Sequence, residues 1–267
     1  MGQKGKAIGL RLGGQRSWDA TWCTQGAYSD YLHQDLATQV FLKRFFESKG
    51  FLVGTPALER ALGQTQITLP LLSLGGADPS ALLQEETLSR TLTQINGPQV
   101  HLHLRDLLDS IQKVFPPLLQ RVVGPALSAY RARPYFEEGL RVLTGALLFR
   151  SPSLLAQYIG RQLEKDYRHN AFLDYLKKAL PLMVHYLPEV RGLRIQVKGR
   201  LNGADRSKTQ WFQEGALPFQ SLGVEVDYGQ ASAFTPYGVC GVKVWICFHP
   251  SPSQSTLPHA SASSSEV

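Results

Sequence analysis

The sequence predicts an α+β protein, and three observations carry that prediction. Over 35–105 a helical stretch, two strand-like runs, a second helix and a further strand follow one another. Over 153–248 two helical stretches precede three runs of alternating apolar and polar residues. Between them, 106–150 is helical in spacing but interrupted by Pro116-Pro117, Gly124-Pro125 and Pro134. Two helices laid on a three-stranded antiparallel sheet make a compact layer, and this is the architecture expected for the C-terminal half.

Residues 1–30 read as a glycine-punctuated arm. Lys4, Lys6, Arg11 and Arg16 are interleaved with Ile8, Leu10 and Leu12, and Trp18 and Trp22 follow. Such a segment is either a disordered basic tail or one that orders against a polyanion, where each phosphate contact releases counterions. Residues 35–49 form a helix, with Asp35 as candidate cap, Leu36, Val40, Phe41 and Phe45 on one face, and Gly50 at its end. Strands are expected at 51–60 and 65–74, the second with a bulge at Pro70. Gly75-Gly76-Ala77-Asp78-Pro79 turns the chain into a helix over 79–95. The strict alternation of 98–105 predicts a strand with His101 and His103 on one face. No carboxylate or cysteine accompanies them, so a solvated or RNA-facing surface is expected rather than a metal site.

The interrupted stretch, 106–150, reads as an insertion of two or three short helices. An amphipathic helix follows over 153–168, with Leu155, Ile159, Leu163 and Tyr167 inward, and another over 170–186 that Pro181 should kink or end. Strands are expected at 193–200, 222–228 and 242–248. In the first, Arg194, Lys198 and Arg200 form a basic face opposite an apolar one. The second and third should bury their even positions. The Ser-, Pro- and Ala-rich 250–267 reads as a disordered tail.

Composition narrows the function. The 267 residues are 43% hydrophobic and 18% charged, which is globular. Lys and Arg number 28 against 21 acids, giving +7, and the excess sits toward the two ends. An anionic partner is favoured. Three cysteines without Cys-x-x-Cys spacing indicate neither a disulfide framework nor a zinc site. No run of about 18 apolar residues predicts a membrane span, and the N-terminus lacks an apolar secretory core. The protein is expected to act where it is made, or to have lost a transit segment. Nucleotide-binding, hydrolase and metalloprotease motifs are missing, and Glu85-Glu86 and Glu137-Glu138 read as solvated helix surface, so neither catalysis nor a cofactor is expected.

The most informative stretch is 199–219, GRLNGADRSKTQWFQEGALPF, read as a long loop joining two stiff strands. Arg200, Arg206 and Lys208 suit phosphates, Trp211 and Phe212 suit base stacking or loop anchoring, and Gly203 and Gly215 permit turns. This stretch, continued to Tyr228, resembles the C-terminal domain of the bacterial-type ribosomal protein S-three family. It matches the family pattern at Gly199, Arg200, Leu201, Gly203, Ala204, Asp205, Lys208, Thr209, Trp211, Glu214, Gly215 and Pro218. TPYGVCGVKVWI over 235–246 is similar to the family's closing strand, and MGQKGKAIGLRLGGQRSWDATW to its N-terminal arm. The similarity is high over 1–50 and 190–249, fair over 150–180, and poor between.

The resemblance implies a structural protein of the small-subunit head that binds ribosomal RNA beside the mouth of the messenger channel, with small-subunit proteins ten and fourteen as neighbours. It implies that 1–105 comprise the arm and a type II KH-like domain, 106–150 the insertion, and 151–249 the family's C-terminal domain. The RNA contacts expected are Lys4, Lys6, Arg11, Arg16, Arg194, Lys198, Arg200, Arg206, Lys208 and Trp211 from the basic arm, strand and loop, and Lys177 and Lys178 from the resemblance. Two departures stand out. A KH domain clamps nucleotides with a basic Gly-x-x-Gly loop, whereas Gly75–Pro79 lacks a second glycine at the right spacing and any Lys or Arg, and carries Asp78. This KH-like unit is therefore expected to be scaffold. The family's messenger-facing cluster, Phe-Arg-Arg-x-x-Lys-Arg, is here Phe172, Leu173, Asp174, Tyr175, Leu176, Lys177 and Lys178, so any role in opening structured messenger should be weakened. Together with the modest charge and the insertion, these departures point to a mitochondrial ribosome rather than a plastid or bacterial one, and the family-like N-terminus to a gene still carried by the organelle. The rival reading is a free KH-type RNA-binding protein acting outside the ribosome.

Overall fold

The computed structural model describes residues 6–14, 16–61, 63–75, 79–97, 99–107, 111, 125–166 and 168–249. Its elements are β1 Ala20–Thr21, α1 Tyr28–Ser48, β2 Phe51–Val53, β3 Ala57–Ala61, β4 Gln64–Ser73, a 3-10 helix Pro79–Gln84, α2 Glu86–Asn96 and β5 Val100–Asp106 in the first half. Then come α3 Pro125–Ser128, α4 Tyr135–Leu148, α5 Pro152–Lys165, α6 His169–Tyr186, β6 Val190–Gly199, a 3-10 turn Leu201–Gly203, β7 Lys208–Gly215, β8 Val226–Thr235 and β9 Gly238–Phe248. Lys4, Gly76 to Asp78, Tyr167 and 250–267 lie outside the described residues.

In the N-terminal sheet β4 is central. It pairs antiparallel with β3 and β2 at its two ends and parallel with β5. Pro70 makes no bulge. It falls where β4 changes partner, between Ala57↔Thr68 and Val53↔Leu71, and its carbonyl accepts from the Gly54 amide at 2.8 Å. Along β5, His101, His103 and Arg105 point to solvent.

Helix α1 starts seven residues before the expected cap and turns a different face inward. Asp35, Thr38, Leu42 and Phe46 are buried, while Leu36 and Val40 are about half exposed (51% and 49%). Asp35 is an interior charge, not a cap. Arg60 donates two bonds to its Oδ1, at 3.1 and 2.5 Å, and Trp22 Nε1 donates to Oδ2 at 2.6 Å. Thr38 and Asn96 bond each other, and Arg60 also reaches Gln34 and Asn96. A buried charge is tolerated only when paired and hydrogen-bonded, and this network supplies both conditions.

The C-terminal sheet has four strands, in the order β7-β6-β9-β8, not three. The extra strand, β7, comes from the segment read as a loop. It pairs with β6 over eight residues, from Gly199↔Lys208 to Gly192↔Gly215. β8 begins at Val226 rather than 222, and Leu222 is exposed. Helices α4, α5 and α6 cover one face. Leu193, Ile195, Val197, Val242, Val244 and Ile246 meet Leu155, Ile159, Leu163, Phe172, Leu176 and Leu143 in one core. The helices in the stretch read as an insertion are thus not appended. Phe136, Leu140, Val142, Leu143, Ala146 and Leu147 of α4 are all buried, and the Tyr175 hydroxyl donates to Phe136 O at 3.0 Å. Pro181 does not end α6, which continues to Tyr186.

Side-chain hydrogen bonds and shared packing join the halves. Gln157 bonds both the amide and the carbonyl of Val53, at 3.1 and 2.7 Å. Arg161 donates to Phe51 O at 2.6 Å. Leu52 and Leu72 of the first half belong to the core of the second.

Candidate nucleic-acid interface

The open face of the C-terminal sheet gathers the chemistry that the sequence spread over three segments. Strand alternation puts every second side chain there. From β7 come Thr209, Trp211 and Gln213; from β6, Arg194, Gln196 and Lys198; from β9, Gly241, Lys243 and Trp245; from β8, Tyr228, Gln230 and Ser232. Register sets them in rows: Gln213–Arg194–Trp245–Tyr228, Trp211–Gln196–Lys243–Gln230 and Thr209–Lys198–Gly241–Ser232. No carboxylate occupies any of these positions.

Arg194 lies between two indoles, its guanidinium 5.2 Å from the Trp211 ring centre and 5.7 Å from that of Trp245. Its Nε is buried without a hydrogen-bond partner. Trp245 also packs on Tyr228 at 5.4 Å and Phe219 at 6.1 Å, whereas Trp211 remains 58% exposed. A pocket of about 490 Å³ opens beside them, lined by Ala7, Leu10, Arg194, Gln196, Phe219, Gln220 and Trp245.

The motif residues divide between folding and exposure. A Cβ on Gly199 would lie 2.4 Å from Cys240 Sγ, and one on Gly215 (φ +72°) 2.3 Å from Arg191 O. Leu201 is buried. The turn beside it is fixed by His169, whose Nδ1 accepts from the Asn202 amide at 3.1 Å and whose Nε2 faces Leu163 O at 3.1 Å. Burial lowers the His169 pKa, opposed by that backbone bond. Arg200, Arg206 and Lys208 are exposed around the turn, and Arg200 Nε donates to Ala204 O.

Two expected contacts have other work. Arg11 is only 2% exposed. Its guanidinium donates to the carbonyls of Val224 (2.6 Å), Ala7 (2.8 Å), Ser221 (2.8 Å), Phe219 (3.2 Å) and Pro218 (3.3 Å), so it closes the 217–224 turn and has no face left for a phosphate. Arg16 pairs with Asp227 and Asp19. The described part of the arm is therefore not a free tail. It is folded on the C-terminal sheet, with Ala7 packed against Val226 and Cys247. Lys6 is exposed. Lys177 and Lys178 are exposed on α6, in the helix layer across the sheet from Arg194 and Trp211, and Lys178 lies 5.1 Å from the Tyr130 ring centre. Leu173 is buried, so this helix no longer offers that position to solvent.

Sequence reasoning missed Lys243, Trp245, Tyr228 and Gln196. Their signal was available: they occupy the polar positions of the alternating strands. Among the described residues no group of three or more His, Cys, Asp and Glu is placed to hold a metal ion. Nor is any helix long and apolar enough to cross a membrane. The three cysteines are free, two of them buried.

Comparisons with known proteins place this geometry in a family. The family model for Ribosomal protein S3, C-terminal domain, matches residues 160–246, which span α6, the whole turn and most of the four-stranded sheet. The chain is similar to small ribosomal subunit protein uS3 of Streptococcus mutans, 31% identical over 252 residues, covering 92% of this chain and 93% of that one. It is also similar to the uS3 proteins of Geobacter sulfurreducens (31%, covering 92% and 95%) and Geotalea uraniireducens (32%, covering 91% and 95%). Similarity at this level over nine-tenths of both chains shows that the protein belongs to the small ribosomal subunit protein uS3 family, a family of structural ribosomal proteins.

Proposed function

We propose that the protein is a structural constituent of the small-subunit head, holding ribosomal RNA near the mouth of the messenger channel. The observation that carries this is the carboxylate-free sheet face with Arg194, Lys198, Lys243 and exposed Trp211, flanked by Arg200, Arg206 and Lys208 at the turn. Cations held on stiff strands meet phosphates at low entropic cost, and a nearby carboxylate would oppose them.

The first half serves as a KH-like scaffold. Its α1–β2–β3–β4–α2–β5 order has one strand more than the helix–strand–strand–helix–strand expected, because 51–60 divides into β2 and β3, and its two helices meet at acidic Glu85 and Glu86, which pair with Lys49 and Arg90. Among the described residues that junction carries no basic clamp, and 76–78 lie outside them. The half-exposed stripe of α1, with Tyr28, Leu32, Leu36 and Val40, offers an apolar surface to protein neighbours, for which small-subunit proteins ten and fourteen are the candidates. Contact with messenger RNA falls to Lys177 and Lys178. The burial of Leu173, with Tyr175 walled in by Tyr130, Tyr135 and Phe136, supports a weakened role in opening structured messenger. A mitochondrial ribosome remains the favoured setting, supported by the modest +7 charge and the eroded basic sites.

Neutralising Arg200, Arg206 and Lys208 together should weaken incorporation into the subunit. It should also lower the salt dependence of RNA binding, by about 0.7–0.9 in log–log slope for each phosphate no longer neutralised. An unchanged slope would remove the turn from the RNA-binding surface. The free RNA-binding rival predicts a pool sedimenting apart from the small subunit in high salt; co-sedimentation of the whole pool excludes it.

A further inference from the structure

We propose that the open sheet face is a stacking platform for unpaired RNA, with one base entering the pocket beside Trp245 and its neighbour stacking on Trp211. This rests on the RNA-binding reading and specifies the form of RNA. The twelve open-face positions hold three cations (Arg194, Lys198, Lys243), three aromatics (Trp211, Trp245, Tyr228), three glutamines (Gln196, Gln213, Gln230) and no acid. Aromatics on a positive surface bind single strands through any base, since every base has a π-face. Glutamine amides both donate and accept, and so meet base edges without demanding one sequence.

The Arg194 guanidinium in the pocket wall makes the ligand polar, since its planar fork suits base and phosphate oxygens. The pocket wall is completed by Ala7 and Leu10 of the arm, which Arg11 and Arg16 lock in place. The site is thus preformed. A duplex keeps its bases stacked inward and shows a protein mainly 2′-hydroxyls and phosphates, which leaves exposed Trp211 without a use.

The test uses the full chain, a labelled oligouridylate of roughly ten nucleotides and a duplex of equal phosphate count, with binding followed by anisotropy at fixed salt. The single strand should bind more tightly than the duplex. Trp211→Ala should weaken it on the order of 5- to 150-fold without changing the salt slope, because the indole neutralises no phosphate. Trp211→Phe should recover most of that affinity, and thermal melting should show the fold intact in both variants. Equal affinity for duplex and single strand with a silent Trp211→Ala overturns the platform while leaving RNA binding in place. Failure of both RNAs to bind overturns the RNA reading itself. Binding of polyglutamate in preference to oligouridylate makes the face a protein-docking site and also overturns the proposal.

Discussion

Arg11 shows how one residue changes meaning between sequence and structure. In the sequence it is one of four cations in a basic arm. In the fold it is the clasp of a turn 210 residues away, donating to five carbonyls in a fork that lysine could not reproduce. Nothing local announces this, because four of its five acceptors are backbone carbonyls from the other end of the chain. Arg16 acts beside it through Asp227. Burial raises the Asp227 pKa to about 6, against the opposing pull of Arg16. The folded state therefore binds more protons than the unfolded state between pH 3.8 and 6. Stability from this group is greatest below that window, declines as pH rises through it and is level above pH 6. The shift corresponds to roughly 3 kcal/mol at most. Asp227→Asn should flatten this part of the stability–pH curve in urea unfolding between pH 4 and 7. A curve parallel to that of the parent protein would show that Asp227 does not titrate there.

At the scale of elements, what the sequence showed depended on whether neighbours in sequence decided the structure. β9 was legible because Val242, Val244, Ile246 and Phe248 alternate into a single core. The helices α5 and α6 were legible from their apolar spacing. α1 was misread because its buried face contains Asp35 and Thr38, whose partners Arg60, Trp22 and Asn96 lie up to 58 residues away. β7 was misread because an edge strand needs no apolar face. Only its ladder to β6 identifies it, and Thr209, Trp211 and Gln213 gain a shared surface only through that ladder. The chemistry of the site was therefore readable residue by residue, but its assembly into one face was not. The ladder's far end depends on Gly215, whose φ of +72° and 2.3 Å approach of a would-be Cβ to Arg191 O exclude a side chain. Gly215→Ala should cost about 1–3 kcal/mol and loosen β7 selectively. Faster amide exchange across 208–215, with β9 still protected, would be the signature; uniform protection would show that the strand tolerates the change.

At the scale of the whole molecule, the arm, the central helices and both sheets form a continuous structure. The first half lends Leu52 and Leu72 to the second half's core, and the arm crosses back to lie on the C-terminal sheet. The clasp at Gln157 is the most specific link, since one side-chain amide satisfies both the Val53 amide and the Val53 carbonyl. This coupling matters to the proposed function, because a scaffold that lets its halves rotate would not hold the sheet face and the α1 surface in fixed relation. The native chain should consequently unfold in a single calorimetric transition, with calorimetric and van't Hoff enthalpies equal. Gln157→Leu keeps the bulk of the side chain but leaves two buried backbone groups without partners, at a cost of about 2–4 kcal/mol. It should separate the transition into two, with the first half melting earlier, because the deleted bonds belong to the junction and not to either core. Two transitions already present in the parent protein would mean that the shared leucines do not couple the halves. One sharp transition in the variant, lowered in temperature but undivided, would move the coupling from the Gln157 clasp to the packing of Leu52 and Leu72 and to Arg161.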